Sequence, residues 1–357
     1  MTEEMIMSDL SLAIVIPVYN TNEVLLRKCM DSILCQTDPR WNLWIIDDGS
    51  RKETADCCDS FLSDTDKRIH VIHRKNAGVS AARNYGVQCS EDPYILFVDS
   101  DDVVSRYMVE DALSVIEKEN ADVVLGGVCK IHQQDDFERF DSQAHSGRTM
   151  KERSKEDILK RLCGDRIIGL SDIGGVGYVG RGPWAKVIQR DIALNTLFPE
   201  GLPIGEDAVW SMRVIGKAKK CVVLDRIWYG YVIYPSSAIS KYYGNRESLI
   251  CQWLAIAKEE NSLFFRNNPR AEGILLMKEL YSVIRFDVIS PKNEMSLKQK
   301  NRYIDELLRK YPWNQLNDKP FREGLGTAQK CLLLLCKWKM GATVSDIYCR
   351  FKRKGRG

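Results

Sequence analysis

Leu12–Val18 reads Leu-Ala-Ile-Val-Ile-Pro-Val, seven residues without a polar member. A strand with one face in water alternates apolar and polar residues, so a strand-length run without alternation must be covered on both faces. Only a layered fold supplies that cover, and the following sequence repeats the same logic. Glu23–Leu34 carries Val24, Leu25, Cys29, Ile33 and Leu34 near helical spacing, with Asn22 positioned to cap it. Trp41–Asp47 reads as a second strand, Thr54–Leu62 as a helix, Ile69–His73 as a third strand and Val79–Cys89 as a helix. Tyr94–Val98 reads as a fourth strand, Arg106–Lys118 as a helix and Asp122–Val128 as a further strand.

This alternation predicts an α/β fold, a mainly parallel sheet with helices on both faces. Ligands of such sheets bind where the carboxyl ends of the strands meet their loops. Polar clusters sit at four successive ends: Tyr19-Asn20, Asp47-Asp48, Asn76 and Asp99. Residues 132–182 read as irregular apart from a short helix near Ser154–Cys163, and Gly164–Gly182 is glycine-rich, as a loop over a site is. Trp184–Gln189 reads as a strand, Phe198–Gly201 as a turn, Glu206-Asp207 as a helix start and Cys221–Leu224 as a strand. From Arg246 onward the pattern is helical, broken at Pro291 and Pro312.

Composition narrows the partners. A net charge of +3 over 357 residues gives no reason to expect nucleic acid, and 44% hydrophobic residues suffice for a sizeable core. The 12 cysteines show no C-x-x-C spacing and read as small buried hydrophobes of a reducing compartment. His70 and His73, three apart on a strand, face opposite ways and should not share a metal. No secretory signal pattern opens the sequence and no run of about 18 apolar residues occurs, so a cytoplasmic protein is expected.

Four constellations carry chemistry. Asp99-Ser100-Asp101-Asp102 concentrates three carboxylates, which repel one another unless a cation or solvent relieves them. If the strand ran through them, Asp99 and Asp101 would point to one side, and two hard oxygens there suit Mg²⁺ or Mn²⁺ shared with phosphate. A solvated acidic turn capping the next helix has the same appearance. Asp47-Asp48-Gly49-Ser50 offers carboxylates for a base N–H or ribose hydroxyl, and is equally an Asp-Gly turn. In Asn76–Gly86, small residues at Gly78, Ala81 and Ala82 allow close helix packing, and Arg83 is either a phosphate-reaching or a surface arginine. Gly205-Glu206-Asp207 opens a helix, where the dipole stabilises an anion such as a general base must be, or simply a terminal carboxylate. Gly175–Gly180 matches G-x-G-x-x-G, but no strand precedes it and Pro183 follows, so it reads as a chance match.

Taken in order, these segments resemble family 2 of the inverting glycosyltransferases, whose GT-A fold is a nucleotide-diphospho-sugar-binding sheet with helices on both faces. Pro17-Val18-Tyr19-Asn20, Asp31–Thr37, Asp47–Ser50, Asn76–Gly86, Phe97–Asp102, Trp184-Ala185-Lys186 and Gly205-Glu206-Asp207 carry the likeness. It implies a catalytic domain over 10–240, with a nucleotide-sugar half at 10–130 and an acceptor half at 131–240, then a helical extension over 241–357 with a basic tail. It implies nucleotide-sugar contacts from Pro17, Val18, Tyr19, Asp48, Arg83, Asp99 and Ser100, with Tyr19 and Asp48 on the base. It further implies a divalent Mn²⁺ or Mg²⁺ held by Asp101 with Asp99, Asp207 as catalytic base, and Glu206 and Trp184 positioning the acceptor. The activity so implied moves a hexosyl or N-acetylhexosaminyl group, from UDP most often, to a hydroxyl of a surface polysaccharide or lipid-linked glycan.

The sequence departs from that pattern where an aromatic–Arg pair is usual: Tyr231 precedes Val232, and the end reads Ala238-Ile239-Ser240. Arg181 and Lys241 are candidate replacements. A nucleotidyltransferase needs a glycine-rich basic loop after its first strand, which Tyr19–Glu23 does not supply. A sugar-binding scaffold without activity would be signalled by loss of Asp101 or Asp207, and both are present. Cys331–Cys336 is apolar and runs into Lys337, Lys339 and Arg350–Arg356, a pattern shared by a packed terminal helix and by a peripheral contact with the inner face of the plasma membrane.

Overall fold

The computed structural model describes residues 10–62, 66–131, 140, 150–165, 177, 178, 180–233 and 241–346. The chain divides into two compact units, one of residues 1–162 and 167–235, the other of residues 163–166 and 236–357.

The first unit is built on β1 (Leu12–Val18), whose seven residues are all buried. It lies between β2 (Trp41–Asp47) and β4 (Tyr94–Phe97), parallel to both, with β3 (Ile69–His73) parallel on the far side of β2. Helices α1 (Glu23–Leu34), α2 (Lys52–Asp59) and α3 (Val79–Cys89) follow the first three strands. The strand order is β3-β2-β1-β4-β9-β6-β10-β5, with β5 at Val103–Val104, β6 at Val123–Ile131, β9 at Lys186–Gln189 and β10 at Cys221–Val232. The chain therefore winds outward from β1 to β3 and returns to β4 on the other side of β1. That reversal opens a crevice at the carboxyl ends of β1 and β4. Register brings the rim together: Val18 pairs with Asp47 and Val15 with Phe97, so Tyr19, Asp48 and Asp99 all emerge at one edge.

The sheet is mixed beyond β4. β9 runs antiparallel to both β4 and β6, while β6 and β10 are parallel. Two short strands, β7 (Met150–Arg153) and β8 (Gly177–Tyr178), add antiparallel pairs to β10 and β6. β10 is three times the expected length, because the polar Asp225-Arg226 step is a strand irregularity and not its end. Arg226 is buried and paired with Asp111, 3.1 Å away on α4 (Met108–Glu119), and Trp228 Nε1 donates to the same carboxylate at 3.2 Å. Three helices complete the unit: α5 (Lys155–Cys163), α6 (Arg190–Leu194) and α7 (Glu206–Lys217).

The second unit is helical: α8 (Arg246–Glu260), α9 (Ser262–Asn267), α10 (Pro269–Val283), α11 (Leu297–Leu307), α12 (Lys319–Arg322) and α13 (Thr327–Lys337). Trp253, Leu275, Leu276, Leu280, Trp313 and Leu316 form its buried interior. Among the described residues no helix is long and apolar enough to cross a membrane. Ala238-Ile239-Ser240, most of the Gly175–Gly180 motif and the basic tail beyond residue 346 lie outside the described residues.

Two glycines show how tightly the rim is drawn. Gly49 has φ +78°, and a Cβ there would stand 2.8 Å from the Asn76 amide nitrogen. Gly86 lets α3 rest directly on the sheet, since a methyl would overlap Val15 Cγ1 and crowd Ile46. Gly86→Ala should therefore destabilise the protein by about 1–3 kcal/mol through overpacking, although alanine is the better helix former. An unchanged urea midpoint would show that α3 does not need that close approach.

Candidate active site

The rim is fastened loop to loop by polar side chains. Asn20, in a left-handed conformation that asparagine tolerates, accepts from the Arg51 amide at 2.8 Å, and its own amide donates to Ser50 Oγ at 2.9 Å. The Thr21 and Ser100 hydroxyls meet at 2.6 Å, tying the β1 loop to the β4 loop. The Asp48 carboxylate is buried and accepts the backbone N–H groups of Ala77, at 3.0 and 3.1 Å, and Gly78, at 2.7 Å. Asp48 thus holds the start of α3 in place. Tyr19 is 57% exposed at the end of β1, an open ring face beside these loops.

Asp47 also turns inward. Its Oδ1 accepts the Ser50 amide at 3.0 Å and its Oδ2 meets His73 Nδ1 at 2.7 Å, while His73 Nε2 lies 2.9 Å from Asp59. The two carboxylates raise the imidazole pKa above its ordinary value. His70 instead stacks on Trp44 at 4.2 Å, on the other side of the strand.

Asp99 is the junction of the site. Arg83 Nη2 donates to its Oδ1 at 2.7 Å and Trp184 Nε1 donates to its Oδ2 at 2.9 Å. Arg83 is buried, lies 5.1 Å from the Phe198 ring centroid, and keeps Nε and Nη1 without hydrogen-bond partners. A buried guanidinium with two idle donors beside a crevice is suited to an anionic ligand. Trp184 stacks on Tyr229 at 5.4 Å and reaches Tyr231 at 5.7 Å. The next residue, Ala185, has φ +54°, an unusual conformation for alanine that turns the chain from Trp184 into β9.

Strand alternation does not aim Asp99 and Asp101, because β4 ends at Phe97 and both lie on the turn beyond. The loop hydrogen bonds set their directions. The repulsion expected within the acidic cluster is relieved largely by the protein itself. Asp99 has Arg83, and Asp102 is buried under hydrogen bonds from Tyr229 Oη at 2.6 Å and the Val232 amide at 2.8 Å. Burial, with Asp99 nearby, pushes the Asp102 carboxyl up to about 8. Asp101, two residues after Asp99 on the same turn, is half-buried. Among the described residues no three His, Cys, Asp or Glu side chains form a metal cage alone.

Helix α7 brings the distant acids to the same place. Gly205 precedes it at φ +83°, and Glu206 and Asp207 form its first turn, where the helix dipole favours anions. Trp210 stacks on Phe198 at 4.4 Å and meets Phe97 edge-on at 5.4 Å. Asn84 clamps Phe198 from both sides, accepting from its amide at 2.8 Å and donating to its carbonyl at 3.0 Å. This packing puts Glu206 within the fields of Asp207, Arg83 and Asp99. Burial and then Asp207 raise the Glu206 carboxyl to about 7. The Trp184-Ala185-Lys186 likeness gives Lys186 no role of its own. Lys186 is fully buried, donates to the carbonyls of Gly180 at 2.7 Å and Gly182, and is pulled down to about 7 by burial, an effect that Asp207 partly opposes. Its sequence signal is a lysine immediately before the apolar pair Val187-Ile188. Arg181 engages the Leu162 carbonyl at 2.8 Å, and Lys241, in the second unit, sits over the Tyr243 ring. Val232 binds Asp102 through its backbone.

A model of the family described as glycosyl transferase family 2 matches residues 13–172, from the first strand through the acidic turn. Over those residues the chain is similar to that family, and it is a glycosyltransferase. This glycosyltransferase is 26% identical over 344 residues to the uncharacterized glycosyltransferase EpsJ of Bacillus subtilis, covering 92% of each chain. It is 24% identical over 323 residues to the minor teichoic acid biosynthesis protein GgaB of the same organism, covering 80% of this chain and 33% of GgaB. Its fold is like that of TarS residues 1–349 from S. aureus, solved in complex with UDP-GlcNAc, with a TM-score of 0.63 and 19% identity over 96% and 92% of the two chains.

His73 gives this glycosyltransferase a pH signature near the rim. A folded-state imidazole pKa above the unfolded ~6.5 contributes stability that is complete below pH ~6.5 and is lost as pH rises through the folded value. The side chain is 41% exposed, so screening keeps the effect small. The urea midpoint of His73→Gln should trail the wild type most at pH 6, with the gap narrowing as pH rises past neutrality. A gap independent of pH would mean that the Asp47–His73–Asp59 relay carries no charge.

Proposed function

We propose that the enzyme transfers a sugar from a UDP-sugar to a hydroxyl of a growing surface polysaccharide or lipid-linked glycan, with inversion at the anomeric carbon. The observation that carries this reading is the meeting of three chain segments on Asp99: Arg83 on one oxygen, Trp184 on the other, and the α7 terminus within its field. Such convergence supports a donor site and a base facing each other across one crevice. The fold it shares with a UDP-GlcNAc-bound neighbour and the relatedness to a teichoic acid biosynthesis protein point the same way.

In this mechanism the nucleotide lies along the ends of β1, β2 and β4. Tyr19 offers its exposed ring to the base, Asp48 shapes the loop beneath it, and Pro17, Val18 and Ser100 form the floor. Arg83 directs its unpartnered nitrogens toward the donor's negative charge. Asp101, helped by Asp99, would hold Mn²⁺ or Mg²⁺, which when bound offsets the charge that builds on the departing diphosphate. Asp207 takes the proton from the acceptor hydroxyl as the oxygen bonds to the anomeric carbon and the carbon–diphosphate bond breaks on the opposite face. Glu206 and the Trp184 ring border the acceptor's approach. The reaction is assigned to the cytoplasm at the inner face of the plasma membrane, with the basic run ending at Arg356 as a membrane contact.

Two substitutions separate the roles. Asp207→Asn should lower the transfer rate by about 10²–10⁴-fold, the usual worth of a general base, with the donor Kd nearly unchanged. Asp101→Asn should instead abolish the Mn²⁺-dependent part of donor binding. Calorimetric titration of UDP-sugars, beside a transfer or donor-hydrolysis assay, measures both. Normal transfer by Asp207→Asn would remove it as the base.

A further inference from the structure

In the helical unit, Lys319, Arg322 and Glu323 face Lys330, Leu333, Leu334 and Lys337 across a groove of about 430 Å³. Four cations stand here against one carboxylate. None of the four has an ion pair or a side-chain hydrogen bond to a described residue, and Arg322 Nε is buried without a partner. Like charges gathered this closely repel, and an anion seated among them removes that cost. The apolar surroundings say which kind of anion. Lys330, Leu334 and Lys337 recur at helical spacing on one face of α13, and the Trp338 amide continues that helix by donating to the Leu334 carbonyl at 3.0 Å. Leu334 is 46% exposed, Trp338 63% and Met340 46%. A site for a small soluble phosphate has no use for an exposed tryptophan and two exposed aliphatic side chains at its edge. A bilayer has: tryptophan favours the interface, and lysine and arginine meet the anionic headgroups.

We propose that this groove is a binding site for anionic phospholipid, with headgroup phosphates among Lys319, Arg322, Lys330 and Lys337, and with Leu334, Trp338 and Met340 entering the acyl boundary. The site deepens the membrane reading given above for the basic tail but is distinct from that tail.

The test is co-sedimentation of the full chain with vesicles of phosphatidylglycerol and phosphatidylethanolamine, against vesicles of phosphatidylcholine, at low and high salt. The site predicts binding to the anionic vesicles alone, weakened by salt. Lys330→Glu with Lys337→Glu should weaken it at least about tenfold, and Lys330→Arg with Lys337→Arg should keep it. Trp338→Ser should weaken binding without changing its salt dependence. An unchanged far-UV circular dichroism spectrum and an unchanged UDP-sugar affinity exclude misfolding as the cause. A charge-neutralised tail, with Lys352, Arg353, Lys354 and Arg356 changed to serine, separates the two readings. Loss of binding in the tail variant alone, with the Lys330/Lys337 charge reversal binding normally, overturns the groove and spares the tail. No binding by the wild type overturns both. Displacement of the vesicles by millimolar inorganic phosphate would identify a soluble-phosphate site and also overturn the proposal.

Discussion

The carboxylate of Asp99 is the constraint on which the site depends. An acid next to a crevice, with Asp101 and Asp102 as neighbours, keeps a fixed direction only if its oxygens are held. Arg83 from α3 and Trp184 from the chain entering β9 hold one oxygen each. The ion pair is mostly shielded from water, so removing either partner leaves a buried group uncompensated. The same contact makes Arg83 useful: one arm is fixed on Asp99 while two nitrogens stay unpartnered.

Around that junction the protein separates carboxylates by environment. Asp47 and Asp48 look like a ligand-facing pair, yet both are turned inward, one onto His73 and Ser50, the other onto the first amides of α3. Asp102 is buried, with its carboxyl raised to about 8, and it ties β10 to the acidic turn through Tyr229 and Val232. Glu206 instead lies within the fields of Asp207, Arg83 and Asp99. The partners that hold Asp47, Asp48 and Asp102 are backbone N–H groups, the Tyr229 hydroxyl and the His73 ring.

The aromatic packing of Phe97, Phe198 and Trp210 supplies the long-range geometry. Phe97 ends β4 two residues before Asp99, and Trp210 lies one helical turn after Glu206 and Asp207. Packing these rings together fixes the distance between the acidic turn and the α7 terminus, because edge-on and stacked rings tolerate little displacement in a close-packed core. The exposed apolar and basic residues of α13, in the other unit, follow a different pattern, with a tryptophan left in solvent.

The sequence by itself determined the α/β class, the first four strands and their helices, and the gathering of polar residues at the strand ends. These follow from local periodicity, which depends only on neighbours along the chain. Arg83, Asp99, Asp101, Trp184 and Asp207 were singled out by the ordered likeness to a known family, where local patterns left ordinary structural readings open. The sequence did not show that Asp48 is turned onto backbone amides, that Trp184 grips Asp99, or that Lys186 is buried near Asp207. Nor did it show that β10 continues through Asp225-Arg226, because a buried Arg226–Asp111 pair and an exposed turn read alike. Those outcomes were decided by tertiary structure, for one physical reason. Where a polar side chain points is set by the partner that satisfies it, and here the partners come from segments up to 130 residues away, beyond the reach of any local pattern.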